Sequence, residues 1–152
     1  MSKLRTWVFM ILLFAGCATA PVHYTVINSQ TYLRSYDEIW EDLVRFFATS
    51  NIQIKNIAKD SGVIYAETAR YEDDFADCGT PGLSKVMGRA LNLNVFVSRI
   101  GNAPKVHVNT KFLETRQFDR SVWTVECNSR GIIERTILNS LRQSSSSPDA
   151  AS

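Results

Sequence analysis

The chain has 152 residues, with 17 Lys and Arg against 15 Asp and Glu, 45% apolar residues, seven glycines and four prolines. That is material for one domain, and the composition excludes disordered, collagen-like and coiled-coil chains. Two of the cations, Lys3 and Arg5, precede an apolar run at the N-terminus, so the remaining sequence is balanced at 15 against 15. A neutral chain offers no basic surface to displace counterions from nucleic acid, and no nucleic-acid partner is expected.

From Trp7 to Ala15 the sequence is unbroken apolar. The run is far shorter than the ~20 residues a helix needs to cross a bilayer. A basic start, a short apolar core and small residues after it describe a secretory signal peptide over residues 1–16. The segment Leu13-Phe14-Ala15-Gly16-Cys17 resembles the lipobox of bacterial lipoproteins. The resemblance implies cleavage ahead of Cys17, a diacylglyceryl group on its thiol and a further acyl chain such as palmitate on its amine. At about 0.8 kcal/mol per buried CH₂, two or three chains anchor a protein almost permanently. Ala18 follows Cys17 where Asp does not. By likeness to enterobacterial lipoproteins this implies the outer membrane, with the domain facing the periplasm, rather than the inner membrane. The other reading is an ordinary signal peptide cleaved near Ala18-Thr19-Ala20, which would release a dissolved periplasmic protein.

Residues 17–28 show no apolar period and read as a tether that could stand the domain ~30 Å off the membrane. Residues 29–142 read as a single domain. Residues 143–152, with four consecutive serines, read as a disordered tail. Within the domain, residues 30–33 suggest a short first strand. Ser35-Tyr36-Asp37-Glu38 fits a capping box. Tyr36, Ile39, Trp40, Leu43, Phe46 and Phe47 then recur at helical spacing, up to Ser50-Asn51. Strands over residues 52–57 and 63–68 flank the turn Lys59-Asp60-Ser61-Gly62. After a long loop, Leu91, Leu93, Val95 and Val97 alternate with Asn92, Asn94, Phe96 and Ser98. Residues 105–113 and 121–127 follow as strands, the first with Val106, Val108, Thr110 and Phe112 inward. A last helix starts after Asn128-Ser129, either of which can cap it. The order is β-α-β-β-β-β-β-α. It predicts an α+β fold, with an antiparallel sheet of about five to six strands packed against two helices.

Three runs carry a family resemblance: Tyr36-Asp37-Glu38-Ile39-Trp40, Ile52-Gln53-Ile54 and Asp60-Ser61-Gly62-Val63-Ile64. Together they resemble small periplasmic lipoprotein domains of the BamC (NlpB)-like type, where a Trp-bearing helix precedes a hairpin with an Asp-x-Gly turn. The run from Cys127 to Glu134 is similar to the Ser-x-Gly-x-x-Glu segment opening the last helix in related lipoproteins. The resemblance implies fold and envelope location. It does not carry over a role in outer-membrane protein assembly, because the family's two-domain arrangement and docking segment are not matched.

With Cys17 lipidated, Cys78 and Cys127 remain as an even pair in an oxidising compartment. A bridge between them would be worth about 4 kcal/mol in the chain-entropy model. The alternative is two reduced thiols, one of them buried. Glu72, Asp73, Asp74 and Asp77 lack the alternating spacing and closing Glu of a calcium loop. His23 and His107 stand in the tether and on an outward strand position, with no nucleophile predicted nearby. No metal, no cofactor beyond the covalent lipid and no catalysis are expected. Phe96 and Trp123 are expected to face outward among Asn92, Asn94, Lys105, His107 and Lys111, and to anchor another envelope protein. In the alternative, a carrier of a small apolar ligand or lipid, Trp40, Phe46, Phe47, Phe96 and Phe112 would line a cavity.

Overall fold

Ser35 opens the first helix as its surroundings dictate. In the computed structural model, which describes residues 19–101 and 103–143, its hydroxyl accepts from the Glu38 amide. Glu38 in turn accepts from the Ser35 amide at 2.9 Å. Two free N–H groups at the helix start are thereby satisfied. The helix, α1 (Tyr36–Thr49), buries Ile39, Trp40, Leu43 and Phe47, the stripe its periodicity marks. Asn51, with φ 55°, turns the chain out of it. Residues 1–18, which include Cys17 and the segment expected to be a signal peptide, and residues 144–152 lie outside the described residues.

Seven strands are formed among the described residues: β1 (Ser29–Thr31), β2 (Gln53–Ala58), β3 (Val63–Thr68), β4 (Ala76–Asp77), β5 (Lys85–Ile100), β6 (Ala103–Phe118) and β7 (Ser121–Ser129). Every pairing is antiparallel, and the spatial order is β2-β3-β5-β6-β7-β4, with β1 beside the first half of β6. The second helix, α2 (Ile132–Gln143), packs on α1, β1 and β6. Leu91, Leu93, Val95, Val97, Val106, Val108 and Phe112 meet the helices in one core, and the alternate positions face away. Burial at this level contributes about 1.5–3 kcal/mol per large apolar side chain. The fold is α+β, as the order of elements implies.

The turn Lys59-Asp60-Ser61-Gly62 joins β2 and β3. Gly62 stands at φ 71°, where a Cβ would fall 2.1 Å from the Val97 carbonyl oxygen. The position is open to glycine because β5 passes so close: the Val97 amide donates to Gly62 at 2.8 Å.

Four expectations about the regular elements change. The loop before β5 contains an additional strand, β4, paired with Asn128 and Ser129 at the end of β7, which raises the strand count. The two central strands are 16 residues each, longer than the apolar alternation suggests, because charged residues continue the inward positions. β1 begins one residue early and ends at Thr31. At the start of α2 the Ser129 hydroxyl accepts from the Gly131 amide at 2.9 Å, and the Gly131 carbonyl takes the first helical bond, from Arg135. Ser129 therefore shapes the approach to the helix, and Gly131 occupies the cap.

The largest change concerns the tether. From residue 19 to 28 the chain has no regular structure, yet it runs along the domain as a strap. Thr19 and Thr80 exchange bonds at 2.7 and 3.2 Å, and the Val22 amide donates to Asp77 at 3.1 Å. Asn128 donates to the Val22 carbonyl at 3.0 Å, and the Val108 amide donates to Asn28 at 2.8 Å. Apolar patterning could not reveal it, because the strap is held through its backbone.

Candidate functional site

The loop between β3 and β5 lies across the helix side of the sheet at its far end. A disulfide joins Cys78 in the loop to Cys127 in β7, the bridge the even pair suggested. Beside it Arg116 reaches into the loop, donating to the carbonyls of Cys78 at 2.6 Å and of Gly79 and Thr80 at 3.3 Å. Glu114 is buried and accepts from Arg116 Nε at 2.8 Å and from Arg89 Nε at 3.0 Å, one on each carboxylate oxygen. Arg89 also pairs with Asp73. The Tyr71 hydroxyl lies 3.3 Å and 3.5 Å from the two sulfurs, and its ring meets Phe112 edge-on. Burial pushes the Tyr71 phenol up, against the pull of Arg89.

Chemically, this cluster is a clamp. Both Glu114 oxygens are taken by guanidinium nitrogens, and both thiols are joined in the bridge, so neither a free base nor a thiolate is presented. Asp77 performs the same task for the strap. It accepts from the Gly79 amide at 2.8 Å and from Val22, and these two backbone bonds hold its carboxyl below the usual carboxylate range. Gly79 has φ 67°, and a Cβ there would sit 2.1 Å from the Thr19 carbonyl oxygen. Only a glycine lets the strap lie this close.

Phe96 and Trp123 do not share a surface. Phe96 faces away from the helices, between Val63 on β3 and His107 on β6. Trp123 is in register with Arg116 and so belongs to the helix-side face, at the far end of the sheet. The two are separated by β6, which pairs with β5 along one edge and with β7 along the other. Both are accessible, Phe96 at 41% and Trp123 at 40%. His23 is exposed on the strap, and His107 stands beside Phe96. Glu72, Asp73 and Asp74 are exposed, and among the described residues no group of three or more His, Cys, Asp or Glu is placed to hold a metal ion. No described helix is long and apolar enough to cross a membrane.

Trp40, Phe47 and Phe112 are core residues. A cleft of about 400 Å³ opens instead at the C-terminal end of α1, against Phe46, Ile52, Tyr71, Phe75, Leu91 and Ile133. Of the five aromatics expected around a cavity, only Phe46 lines it.

The Arg89–Glu114–Arg116 cluster had a signal in the sequence. These residues hold the same strand parity as Leu91 and Phe112, so three charges continue a buried face and must neutralise one another. No protein-family model matches the chain, and no curated protein matches it in sequence.

Proposed function

We propose that this chain is a lipid-anchored protein of the bacterial envelope, held by Cys17 to the outer membrane, that binds another envelope protein without catalysis of its own. The observation that carries the binding role is Phe96 on the open face of the sheet. A sheet face turned to water needs polar side chains, and Asn92, Asn94, Lys105, Asn109 and Lys111 supply them. An accessible aromatic set among such groups is the usual anchor of a protein interface. The anchoring role rests on the small-small-Cys ending of the apolar run, and the resemblance to BamC-like lipoprotein domains supports the same location. Trp123, on the other face, is no part of this surface.

Radiolabelled palmitate should enter the wild-type chain and not Cys17→Ser. A processed chain beginning after Cys17 and carrying no acyl mass overturns the anchor. In cells, a photo-crosslinking residue in place of Phe96 should capture one envelope protein, and Phe96→Ala should lower its recovery at unchanged Tm. Loss of folding in Phe96→Ala would assign the ring to the core and end the binding proposal.

The cleft below α1 favours a second reading, a carrier for a small apolar ligand. Its test is a fluorescent fatty acid: saturable binding abolished by Ile133→Glu supports it, and no saturable binding removes it.

A further inference from the structure

Five accessible apolar side chains gather at one end of the sheet. The turn at Asp119-Arg120 sets Phe118 opposite Ser121, Val122 opposite Gln117 and Trp123 opposite Arg116. Across β6, Val86 stands opposite Arg116 and Lys85 opposite Gln117, and Met87 fills the bulge that follows. Leu83, 87% exposed, rides on a turn closed by the Ser84 amide on the Pro81 carbonyl at 3.1 Å. Neither helix makes a substantial contact with β7. A concentration of exposed Leu, Met, Phe, Val and Trp in a chain that buries Trp40, Phe47 and Phe112 needs something to cover it.

The course of the strap says what that is. Thr19 is bonded to Thr80, and the Thr80 carbonyl accepts from Arg116, the register partner of both Trp123 and Val86. Cys17 precedes Thr19 by two residues, a reach of at most about 7 Å. Acyl chains on Cys17 therefore enter the bilayer beside this apolar tip, not at the end of a free tether.

We propose that the tip is a membrane-contact surface: Leu83, Met87, Phe118, Val122 and Trp123 enter the interfacial layer of the leaflet that holds the Cys17 lipid. The inference rests on the lipid-anchor reading. Tryptophan favours the headgroup level, where its ring is half in hydrocarbon and its N–H is wet. Lys85, opposite Gln117, and Arg120, next to Asp119 in the turn, are both exposed and suit phosphate-bearing headgroups. The strap then fixes the orientation of the domain. Phe96 pairs with His107, nine strand positions from Arg116 along β6, or about 30 Å. The protein-binding face is thereby lifted clear of the bilayer.

The test uses the processed, acylated chain in vesicles of phosphatidylethanolamine and phosphatidylglycerol, with or without bromine on the acyl chains. Trp40 lies in the core, so the difference between wild type and Trp123→Phe isolates the emission of Trp123. Brominated lipid should quench that emission. It should leave a reporter on the open face, Phe96→Trp in the Trp123→Phe background, unquenched. Leu83→Glu with Phe118→Glu, both at exposed positions, should reduce the Trp123 quenching severalfold at unchanged acyl mass and circular dichroism. An acylated chain whose Trp123 ignores bromine overturns the membrane contact and leaves the tip to a protein partner, whereas equal quenching of the open-face reporter overturns the orientation. A chain without acyl mass overturns the anchor and this inference together.

Discussion

Glu114 shows how one residue can set the limits of a surface. It sits in line with Phe112 on the inner face of β6, yet it is charged, and the chain covers it by drawing Arg89 and Arg116 onto its two oxygens. A buried ion pair stabilises little by itself, but breaking one leaves an uncompensated charge in a poor dielectric. Glu114→Ala is expected to lower stability by about 3 kcal/mol, read from urea denaturation, because Arg116 stays buried with only carbonyl partners. Tyr32 is a second buried polar group, its hydroxyl donating to the Leu138 carbonyl at 2.7 Å. Burial raises its phenol to about 12 against a weaker opposing pull from Arg142, so it stays neutral at every physiological pH.

At the scale of elements, the loop and strap behave as one device with two fasteners. The disulfide holds the loop to β7. Replacing Cys78 and Cys127 together by serine is expected to lower stability by about 2–4 kcal/mol and to expose the 70–84 loop to limited proteolysis. The strap depends on Asp77 and on Gly79. Since hydrogen bonds lower the folded pKa of Asp77, its contribution is complete above the ordinary carboxylate value of about 3.9 and is lost as pH falls through the depressed one. Arg130, close by, adds to the lowering, and its guanidinium lies 5.6 Å from the Tyr24 ring. Acidification should therefore free the strap before the sheet, detected as pepsin cleavage near Tyr24. At neutral pH, Gly79→Ala should have the same effect through sterics, speeding amide exchange over residues 20–27 while β5 and β6 remain protected.

The whole molecule is a sheet with two dissimilar faces and two dissimilar ends. One face is closed by α1 and α2, and the other is open and polar around Phe96. One end carries the chain entry and the apolar tip. Because both helices share a single core with β5 and β6, unfolding is expected to be one transition. Phe112→Ala should destabilise the protein by about 3–5 kcal/mol, with helical and near-ultraviolet signals moving together. Two separate transitions would show that the tip folds as its own unit.

Local chemistry sufficed for much of this. The capping box and the 3.6-residue stripe specify α1, because the bonds and contacts that make a helix lie within a few residues of one another. The alternation from Leu91 to Val97 specifies a half-buried strand for the same reason, whereas the choice between a bridge and two reduced thiols at Cys78 and Cys127 was made by the fold. What faces what across distance had to await the tertiary structure. Phe96 and Trp123 look alike along the chain, but the face each takes after two chain reversals is set by register, and register put them on opposite faces. Glu114 and Arg116 interrupt an apolar pattern, and only the loop pinned above them makes their burial tolerable. The strap leaves no periodic mark because backbone groups hold it, and every residue owns the same backbone. Its docking required a glycine sixty residues away in sequence, brought to Thr19 by the fold alone.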